Sequence, residues 1–334
     1  MLKFIGKRLL MLIPVLIGIT LVVQLLLEVT PGDPAKLMLG MNATPERVAA
    51  LREELGLNDP FLVRYGRYIW NLCHGDLGNS FMTGRPVFSE MIQRFPYTLV
   101  LVCISLFLSV VFGIPLGVFA STHQHTWKDN LAMFAALFCV SMPAFWFALM
   151  LIQRFAVKWR LLPLSGIASW KGWVLPCVAL ALGFTATITR QTRSNMLEVI
   201  RQDYITTARA KGVSEVTIKY RHALKNAVTP VIMVVGGMFG MMLGGALISE
   251  TIFSIPGLGQ YTMQALNSRD YPVIQSSVLV LSLLFAIVIL LVDIIFALID
   301  PRIRSQYISK RQKEARTDQK KEDQEKGAAH SEGR

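Results

Sequence analysis

The chain has 334 residues, of which 53% are hydrophobic and 17% are charged, whereas soluble globular proteins average about 25% charged residues. The hydrophobic residues fall in long uncharged blocks, which excludes an ordinary soluble domain and predicts a polytopic membrane protein. The net charge of +12 would suit nucleic acid binding, but the placement of the basic residues, described below, argues against it. The four cysteines form no CxxC pair, so the sequence predicts neither a disulfide nor a metal site.

Six hydrophobic blocks predict six transmembrane helices, at about 9–29, 96–120, 130–152, 174–190, 228–252 and 273–299. Basic residues before the first block resemble the start of a signal peptide. That block is too long for a signal sequence and no small-x-small cleavage site follows, so we expect a retained helix. An even number of spans places both termini on the same side of the membrane.

The lysines and arginines predict which side is cytoplasmic. The set that comprises both termini, the 121–129 loop and the 190–226 loop contains 22 of them, and the opposite set contains 12. We therefore expect cytoplasmic termini, and we interpret the basic excess as a topology signal.

The segment 31–95 is predicted to be helical and extracytoplasmic. Pro31-Gly32-Asp33-Pro34 cannot continue a helix and ends the first span. One amphipathic helix is expected from Thr44-Pro45 to Gly56, and a second after Asp59-Pro60. We expect both to fold over the outer mouth of the pore. Helices that lie on the lipid surface are the less favoured alternative, because their charges are balanced.

The 190–226 loop is predicted to form two helices. The first is interrupted at Gly212, Ser214 caps the second, and Pro230 marks the beginning of the fifth span. A basic helix–glycine–helix segment is typical of a lever that docks into a soluble partner. An ordinary positively charged loop explains the spacing equally well.

The fifth span carries Gly236, Gly240 and Gly244 on one stripe, where small residues allow close helix contact. Three methionines lie between the glycines: Met238, Met241 and Met242. They could line a pliable constriction of the pore, or they could fill gaps in the packing, which is slightly favoured.

Two acids lie in or near the spans, where an aspartate at a helix centre costs at least ~2.5 kcal/mol. Glu250 could line the outer pore or could hold the Ile255-Pro256-Gly257 turn by hydrogen bonds, and we favour the second. Asp293 is expected to make a structural hydrogen bond between spans.

The remaining residues predict no chemistry. No GxxxxGK[ST] loop is present, so this chain cannot bind ATP in the P-loop arrangement, and neither a catalytic constellation nor a metal ligand set is found. Residues 305–334 are charged and almost free of apolar side chains, so we expect a disordered cytoplasmic tail after a membrane domain at 1–304.

The stretch from Tyr204 to Gly212, followed by Arg221 to Ala227 and by Pro230, resembles the EAA loop of the ABC importer permeases, and in particular that of their dipeptide/oligopeptide/nickel branch. The other similar stretches are Pro31-Gly32-Asp33-Pro34, Leu55-Gly56-Leu57, Arg64-Tyr65, Gly75-Asp76-Leu77-Gly78-Asn79-Ser80, Glu250 to Gly259, Arg269-Asp270-Tyr271-Pro272 and Asp300-Pro301-Arg302-Ile303-Arg304.

The resemblance implies an all-α, type I ABC importer permease fold in the bacterial cytoplasmic (inner) membrane. It also implies a coupling helix that contacts an ATPase, formed by Thr207, Ala208, Arg209, Ala210, Lys211, Gly212, Val213, Ser214 and Glu215. Thr206 and Thr207 stand where the general motif has Glu and Ala.

The implied partners are a homologous second permease, two ABC ATPase subunits that bind ATP and Mg, an extracytoplasmic substrate-binding protein and membrane lipid, but no nucleic acid. The chain itself would be a pore subunit without cofactor or enzymatic activity. The expected cargo is di- or oligopeptides, and nickel, another metal chelate or glutathione is the alternative. A gradient-driven secondary transporter is less favoured, because no inverted repeat is found.

Overall fold

The computed structural model describes residues 2–40 and 43–299, and its regular elements there are helices, apart from one β-bridge between Asn79 and Pro86. The helices are α1 (Leu2–Val29), α2 (Pro34–Leu39), α3 (Pro45–Glu54), α4 (Phe61–Cys73), α5 (Val87–Thr122), α6 (Trp127–Ser141), α7 (Ala144–Leu151), α8 (Lys171–Ile200), α9 (Asp203–Ala210), α10 (Glu215–Thr217), α11 (Leu224–Phe253), α12 (Leu258–Ser268) and α13 (Tyr271–Ile299).

Five helices are long and apolar enough to cross a membrane: α1, α5, α8, α11 and α13. A sixth crossing is formed if the bent pair of α6 and α7 counts as one span. The side on which α1 begins is named the amino-terminal side below, and the other is named the far side. Among the described residues, those up to Ile289 form one compact unit and those from Leu290 belong to another, and all packing described here lies in the first.

The predicted span at 130–152 is not a straight helix. Its two halves, Trp127–Ser141 and Ala144–Lys158, meet at an angle of 99°. Met142 adopts an extended backbone conformation (φ −75°, ψ 130°) immediately before Pro143. A residue before proline is disfavoured in the helical region, so the helix ends here and a new one starts. The second half continues beyond Leu151 as a π-helical stretch, Ile152–Lys158.

Two other boundaries differ from the sequence-based expectation. The helix that leads out of the fourth span ends at Ile200 and restarts at Asp203, before the break at Gly212. Pro230 does not mark the beginning of a helix, since it lies inside α11, which continues a helical path from Glu215. A proline lacks a helical N–H, but neighbouring helices and local adjustments make it tolerable in a membrane helix.

The main core lies where α5, α7, α8 and α11 pack together, and it includes Leu101, Leu180, Met242 and Ala246. Gly113 and Gly117 of α5 face α8 at close range. A Cβ at Gly117 would meet the backbone oxygen of Thr189 at 2.6 Å and the side chain of Thr192 at 2.5 Å. Small residues therefore allow the two backbones to approach, as is common for membrane helices.

The glycines of the fifth span behave differently from one another. A Cβ at Gly240 would collide with the ring of Phe285 of α13, whereas Gly237 and Gly244 face open space. Close helix contact therefore holds for only part of the predicted stripe. Of the four free cysteines only Cys177 is buried. The predicted tail at 305–334 lies outside the described residues, and so does the side chain of Asp293.

The close approach of α5 to α8 predicts that Gly117→Ala destabilises the chain. The added methyl group would overlap a backbone oxygen that cannot rotate away, and overpacking of this kind costs about 1–3 kcal/mol. Thermal unfolding of the purified protein in detergent measures the effect.

Gly183→Ala is the matched control, because Gly183 lies in α8 with nothing within 4 Å of its Cβ position. That variant should unfold at the same temperature as the parent or slightly higher, since alanine favours a helix by up to about 1 kcal/mol. Equal loss in both variants would contradict the proposed contact.

Candidate functional site

The segment Asp203–Ala223, named the coupling segment here, forms a bent pair of helices on the amino-terminal side. The first helix, α9, ends at Ala210, and Gly212 follows with φ +77°. That left-handed conformation is favourable for glycine and strained for other residues. The side chain of Ser214 then accepts a hydrogen bond from the N–H of Thr217 and caps the second helix. The predicted break at Gly212 and the cap at Ser214 are confirmed.

One face of the coupling segment is anchored on the rest of the chain. Ile205, Ile218 and Ala223 are fully buried, and they pack with Val118 of α5 and Met196 of α8. Burial of a large aliphatic side chain contributes about 1.5–3 kcal/mol. The two helices therefore move together with the ends of α5 and α8.

The opposite face is exposed to solvent and combines aromatic, aliphatic and charged groups. Tyr204, Val216 and Tyr220 are 43%, 67% and 60% exposed. The Arg209 guanidinium donates to the Glu215 carboxylate at 2.7 Å and bridges the two helices across the bend. Among the residues predicted for coupling, the exposed ones are Thr207, Arg209, Ala210, Lys211, Gly212, Ser214 and Glu215, and the partly buried ones are Ala208 and Val213.

A buried ion pair holds the base of this region. The Arg193 side chain of α8 donates from Nε to Asp129 Oδ1 and from Nη2 to Oδ2, both at 2.6 Å. The side chain of Asp129, in the first turn of α6, is only 3% exposed, and it also accepts the N–H of His125. A bidentate pair fixes orientation as well as distance. It therefore joins the start of the bent span to the helix that leads into the coupling segment.

A second cluster lies on the far side, where distant parts of the sequence meet at the beginning of α13. The Asp270 carboxylate accepts the N–H groups of Phe81 and Met82 and the hydroxyl of Ser80. The neighbouring Arg269 donates to the backbone oxygen of Pro31. These contacts tie the end of α1 and the loop before α5 to α13.

Glu250 organises the outer end of α11. Its carboxylate accepts a hydrogen bond from the hydroxyl of Thr98 at 2.6 Å and from the N–H of Gln260 at 3.0 Å. The same hydroxyl of Thr98 accepts the N–H of Leu258. The first N–H groups of α12 are thereby satisfied by buried side chains, as helix ends require. Of the two roles weighed for Glu250, these bonds favour the hydrogen-bonded turn over a pore-lining position.

The three methionines of the fifth span point in different directions. Met238 and Met242 are buried within the chain, and Met241 is 69% exposed. Met241 belongs to a stripe that stays open along α11, in which Met233 and Ile248 are also exposed and Gly237 and Gly244 have no neighbour.

Sequence reasoning missed three polar groups that organise these clusters: Asp129, Thr98 and Asp270. Arg193 was counted only as a topology signal. Asp129 is the one acidic residue of the 121–129 loop, and Arg193 follows a span that ends on the same side of the membrane, so the sequence could have suggested this pair. Thr98 carried no signal, since a threonine in an apolar span is unremarkable. Asp270 lay in a stretch used for the family resemblance, with no contact assigned.

The fold defines an α-helical membrane protein with five or six candidate spans among the described residues. The chain matches the family model of the binding-protein-dependent transport system inner membrane component over residues 113–305 and the N-terminal model of the same components over residues 1–102. It therefore belongs to this family and is a multi-pass protein of the inner membrane, working with ATPase and substrate-binding partners.

Individual relatives agree with this assignment. The chain is 43% identical to the dipeptide transport system permease protein DppB of Alkalihalophilus pseudofirmus, with 91% of this chain and 100% of that protein covered. It is 40% identical to the glutathione transport system permease protein GsiC of Escherichia coli K12, with 91% and 99% covered. A chain of the inward-facing MetNI methionine ABC transporter aligns with a TM-score of 0.56 at 19% identity, covering 64% of this chain and 97% of that one. The expected ABC importer permease fold is confirmed.

The Asp129–Arg193 pair predicts that removal of one partner is more harmful than removal of both. Asp129→Leu would leave the largely buried guanidinium uncompensated, at a cost of about 2–4 kcal/mol, near the range for buried pairs that lose one member. The double variant Asp129→Leu/Arg193→Met should recover part of the loss. Thermal unfolding of the parent, of Asp129→Leu, of Arg193→Met and of the double variant measures this coupling, and additive losses of the two single variants would contradict it.

Proposed function

We propose that this chain forms half of the translocation pore of an ATP-driven importer for di- or oligopeptides, and that it hydrolyses no ATP itself. A homologous but distinct second permease completes the pore, two ABC ATPase subunits supply the energy, and an extracytoplasmic binding protein delivers the cargo. Resident cofactors are not required in this chain, since ATP and Mg bind to the ATPase subunits.

The coupling segment supports this proposal most directly. Its inner face is buried against α5 and α8, and its outer face exposes Tyr204, Val216 and Tyr220. Such an exposed mixture of aromatic and charged groups suits a protein interface. In our proposal the residues Thr207 to Glu215 sit in a cleft of an ATPase subunit, and closure of the ATPase dimer moves the membrane helices through this contact.

The proposed orientation follows from the same assignment. The ATPase subunits are cytoplasmic, so the amino-terminal side is the cytoplasm, in agreement with its excess of lysine and arginine. The segment 31–95 and α12 then belong to the extracytoplasmic side of the protein, where the binding protein docks.

The open stripe on α11 supports a revised pore lining. Met241 keeps the role considered from the sequence, together with its exposed neighbours Met233 and Ile248. Met238 and Met242 are assigned to packing because they are buried against this chain's own helices. A flexible thioether among glycines would allow varied peptide side chains to pass.

The cargo proposal rests on the relatives. Those named above are permeases for a dipeptide and for glutathione, and both cargoes are short peptides in the chemical sense. Nickel or another metal chelate remains the alternative inferred from the sequence resemblance.

Gly212→Pro is predicted to uncouple ATP hydrolysis from transport. Proline cannot adopt φ +77° and lacks the N–H that bonds to Arg209, so the bend between the two helices must change. We expect an assembled complex that still hydrolyses ATP but has lost at least about tenfold of its peptide uptake into proteoliposomes. Normal uptake by this variant would overturn the coupling assignment.

Gly75→Pro is the matched control. Gly75 also has φ +77°, its N–H bonds three residues back to Leu72, and nothing lies near its Cβ position. It lies on the far side, away from the proposed ATPase contact, so similar local strain there should leave coupling intact. In a background with Cys73→Ser, which removes the native exposed cysteine of the far side, Lys211→Cys in the chain without its ATPase subunits should react with an impermeant maleimide only from the cytoplasmic side.

The cargo is testable through the binding protein that associates with the complex. Mass spectrometry of ligand released from that protein, purified from cells, should recover short peptides, and titration calorimetry should confirm that they bind again. Recovery of a metal chelate instead would overturn the peptide assignment while leaving the coupling proposal intact.

A further inference from the structure

Helix α4 carries an apolar face that no described part of the chain covers. Leu62, Gly66 and Trp70 follow one another at four-residue spacing, and Val63 lies beside them. Leu62, Val63 and Trp70 are 77%, 49% and 68% exposed. Cys73 extends the same face and is also exposed. These residues are named the α4 apolar face.

The opposite face of α4 is fastened to α1. The hydroxyl of Tyr65 donates to the backbone oxygen of Ile17 at 2.9 Å and lies 3.1 Å from the hydroxyl of Thr20. Arg64 forms an ion pair with Glu28 near the end of α1. Tyr68, one turn further along, is half-buried, and its hydroxyl oxygen is buried.

These contacts set the level of α4 relative to the membrane. Thr20 precedes Val29, the last residue of α1, by nine residues, or about 13 Å of helix at about 1.5 Å per residue. Glu28 lies at the end of the span. Because Arg64 reaches Glu28 and the adjacent Tyr65 reaches Thr20, the backbone of α4 at these two residues lies between the two levels. It is therefore on the order of 5–10 Å inside the end of the apolar span, the depth at which amphipathic helices lie in a membrane interface.

We propose that α4 is an interfacial membrane helix whose apolar face, Leu62, Val63, Gly66, Trp70 and Cys73, inserts among the acyl chains of the far-side leaflet. The occupant is lipid. The proposal depends on the established membrane location of the chain and does not depend on its cargo or on its coupling to ATP hydrolysis.

Two features favour lipid over a protein partner. Only 11% of the residues in the apolar window of α1 are buried in this chain, so α4 rests on an apolar helix whose surface this chain leaves largely uncovered, and the α4 apolar face continues that surface. At its edge, Arg67 is paired with Asp59 at 2.7 Å. Charged groups at the border of an apolar face, beside a tryptophan, suit the headgroup level.

This inference reverses the ranking made from the sequence for this helix. In the sequence, the equal numbers of basic and acidic residues favoured a position of this helix above the outer mouth of the pore rather than on the lipid surface. The ion pairs of Arg64 and Arg67 with Glu28 and Asp59 account for that balance, because the acids neutralise the arginines locally. The remaining face of the helix is apolar.

The test uses the full chain assembled with its partner subunits in nanodiscs. In a background with Cys73→Ser, Cys103→Ser and Cys139→Ser, the buried Cys177 stays in place and should not react. Leu62→Cys and, separately, Trp70→Cys are labelled with bimane. The nanodiscs contain phosphatidylcholine with bromine either at carbons 6 and 7 or at carbons 11 and 12 of one chain, or no bromine, and each variant must assemble with its partner subunits.

We expect both labels to be quenched at least about twofold by brominated lipid, more strongly by the shallow bromines, and to be protected from aqueous iodide. Glu54→Cys on the exposed end of α3 is the water-facing control, and Leu26→Cys, exposed on α1, is the lipid-facing control. Quenching by iodide and not by bromine would overturn the proposal. Protection from both quenchers would also overturn it and would indicate a protein partner on this face.

Restoring Cys73 in place of the introduced cysteines supplies a third reporter on the same face without altering an apolar side chain. It should respond as Leu62→Cys does. A response like that of Glu54→Cys would count against insertion of α4 even if the other variants assembled poorly.

Discussion

The contact between α5 and α8 is the constraint on which the rest of the molecule depends. Gly113 and Gly117 allow the two backbones to meet closely enough that a single methyl group would not fit. Immediately beyond Gly117, Val118 packs with Met196 and forms the seat of the coupling segment. On the same stretch of α8, Arg193 forms an ion pair with Asp129 in the first turn of α6. The close packing of α5 against α8 therefore positions both the apolar surface on which the coupling segment packs and the ion pair that joins α8 to α6.

The sequence predicted the broad architecture because its signals are strong and local. Uncharged blocks of about 20 residues define spans, Gly212 needs a left-handed backbone, and Ser214 is a standard helix cap. The bend at Pro143 was missed because the apolar block continues through it without interruption, so hydropathy gave no sign of a break. The helix through Pro230 was also misjudged, since the proline lies inside a helix that began several residues earlier.

The polar clusters were the least predictable part. Asp270 meets Ser80 across about 190 residues of sequence, and Glu250 meets Thr98 across about 150, so only the assembled fold could reveal them. Both carboxylates accept hydrogen bonds from backbone N–H groups at turns. Several stretches that carry the family resemblance, including those at Pro31, Gly75 to Ser80 and Arg269 to Pro272, prove to be neighbours in space. These stretches occur together in one sequence because they contact one another in the fold.

The division of the coupling segment into an anchored face and an exposed face has a consequence for how such importers diverge. Ile205, Ile218 and Ala223 hold the segment in place from within, and none of them is accessible to another protein. Val216 and Tyr220 can change without disturbing that attachment, whereas Tyr204 also accepts a hydrogen bond from the Asn226 side chain of α11 at 2.7 Å. Substitutions at a few surface positions can therefore change which ATPase subunit binds without affecting folding. After gene duplication, a cell could hold several transporters of the same architecture that do not bind one another's ATPases.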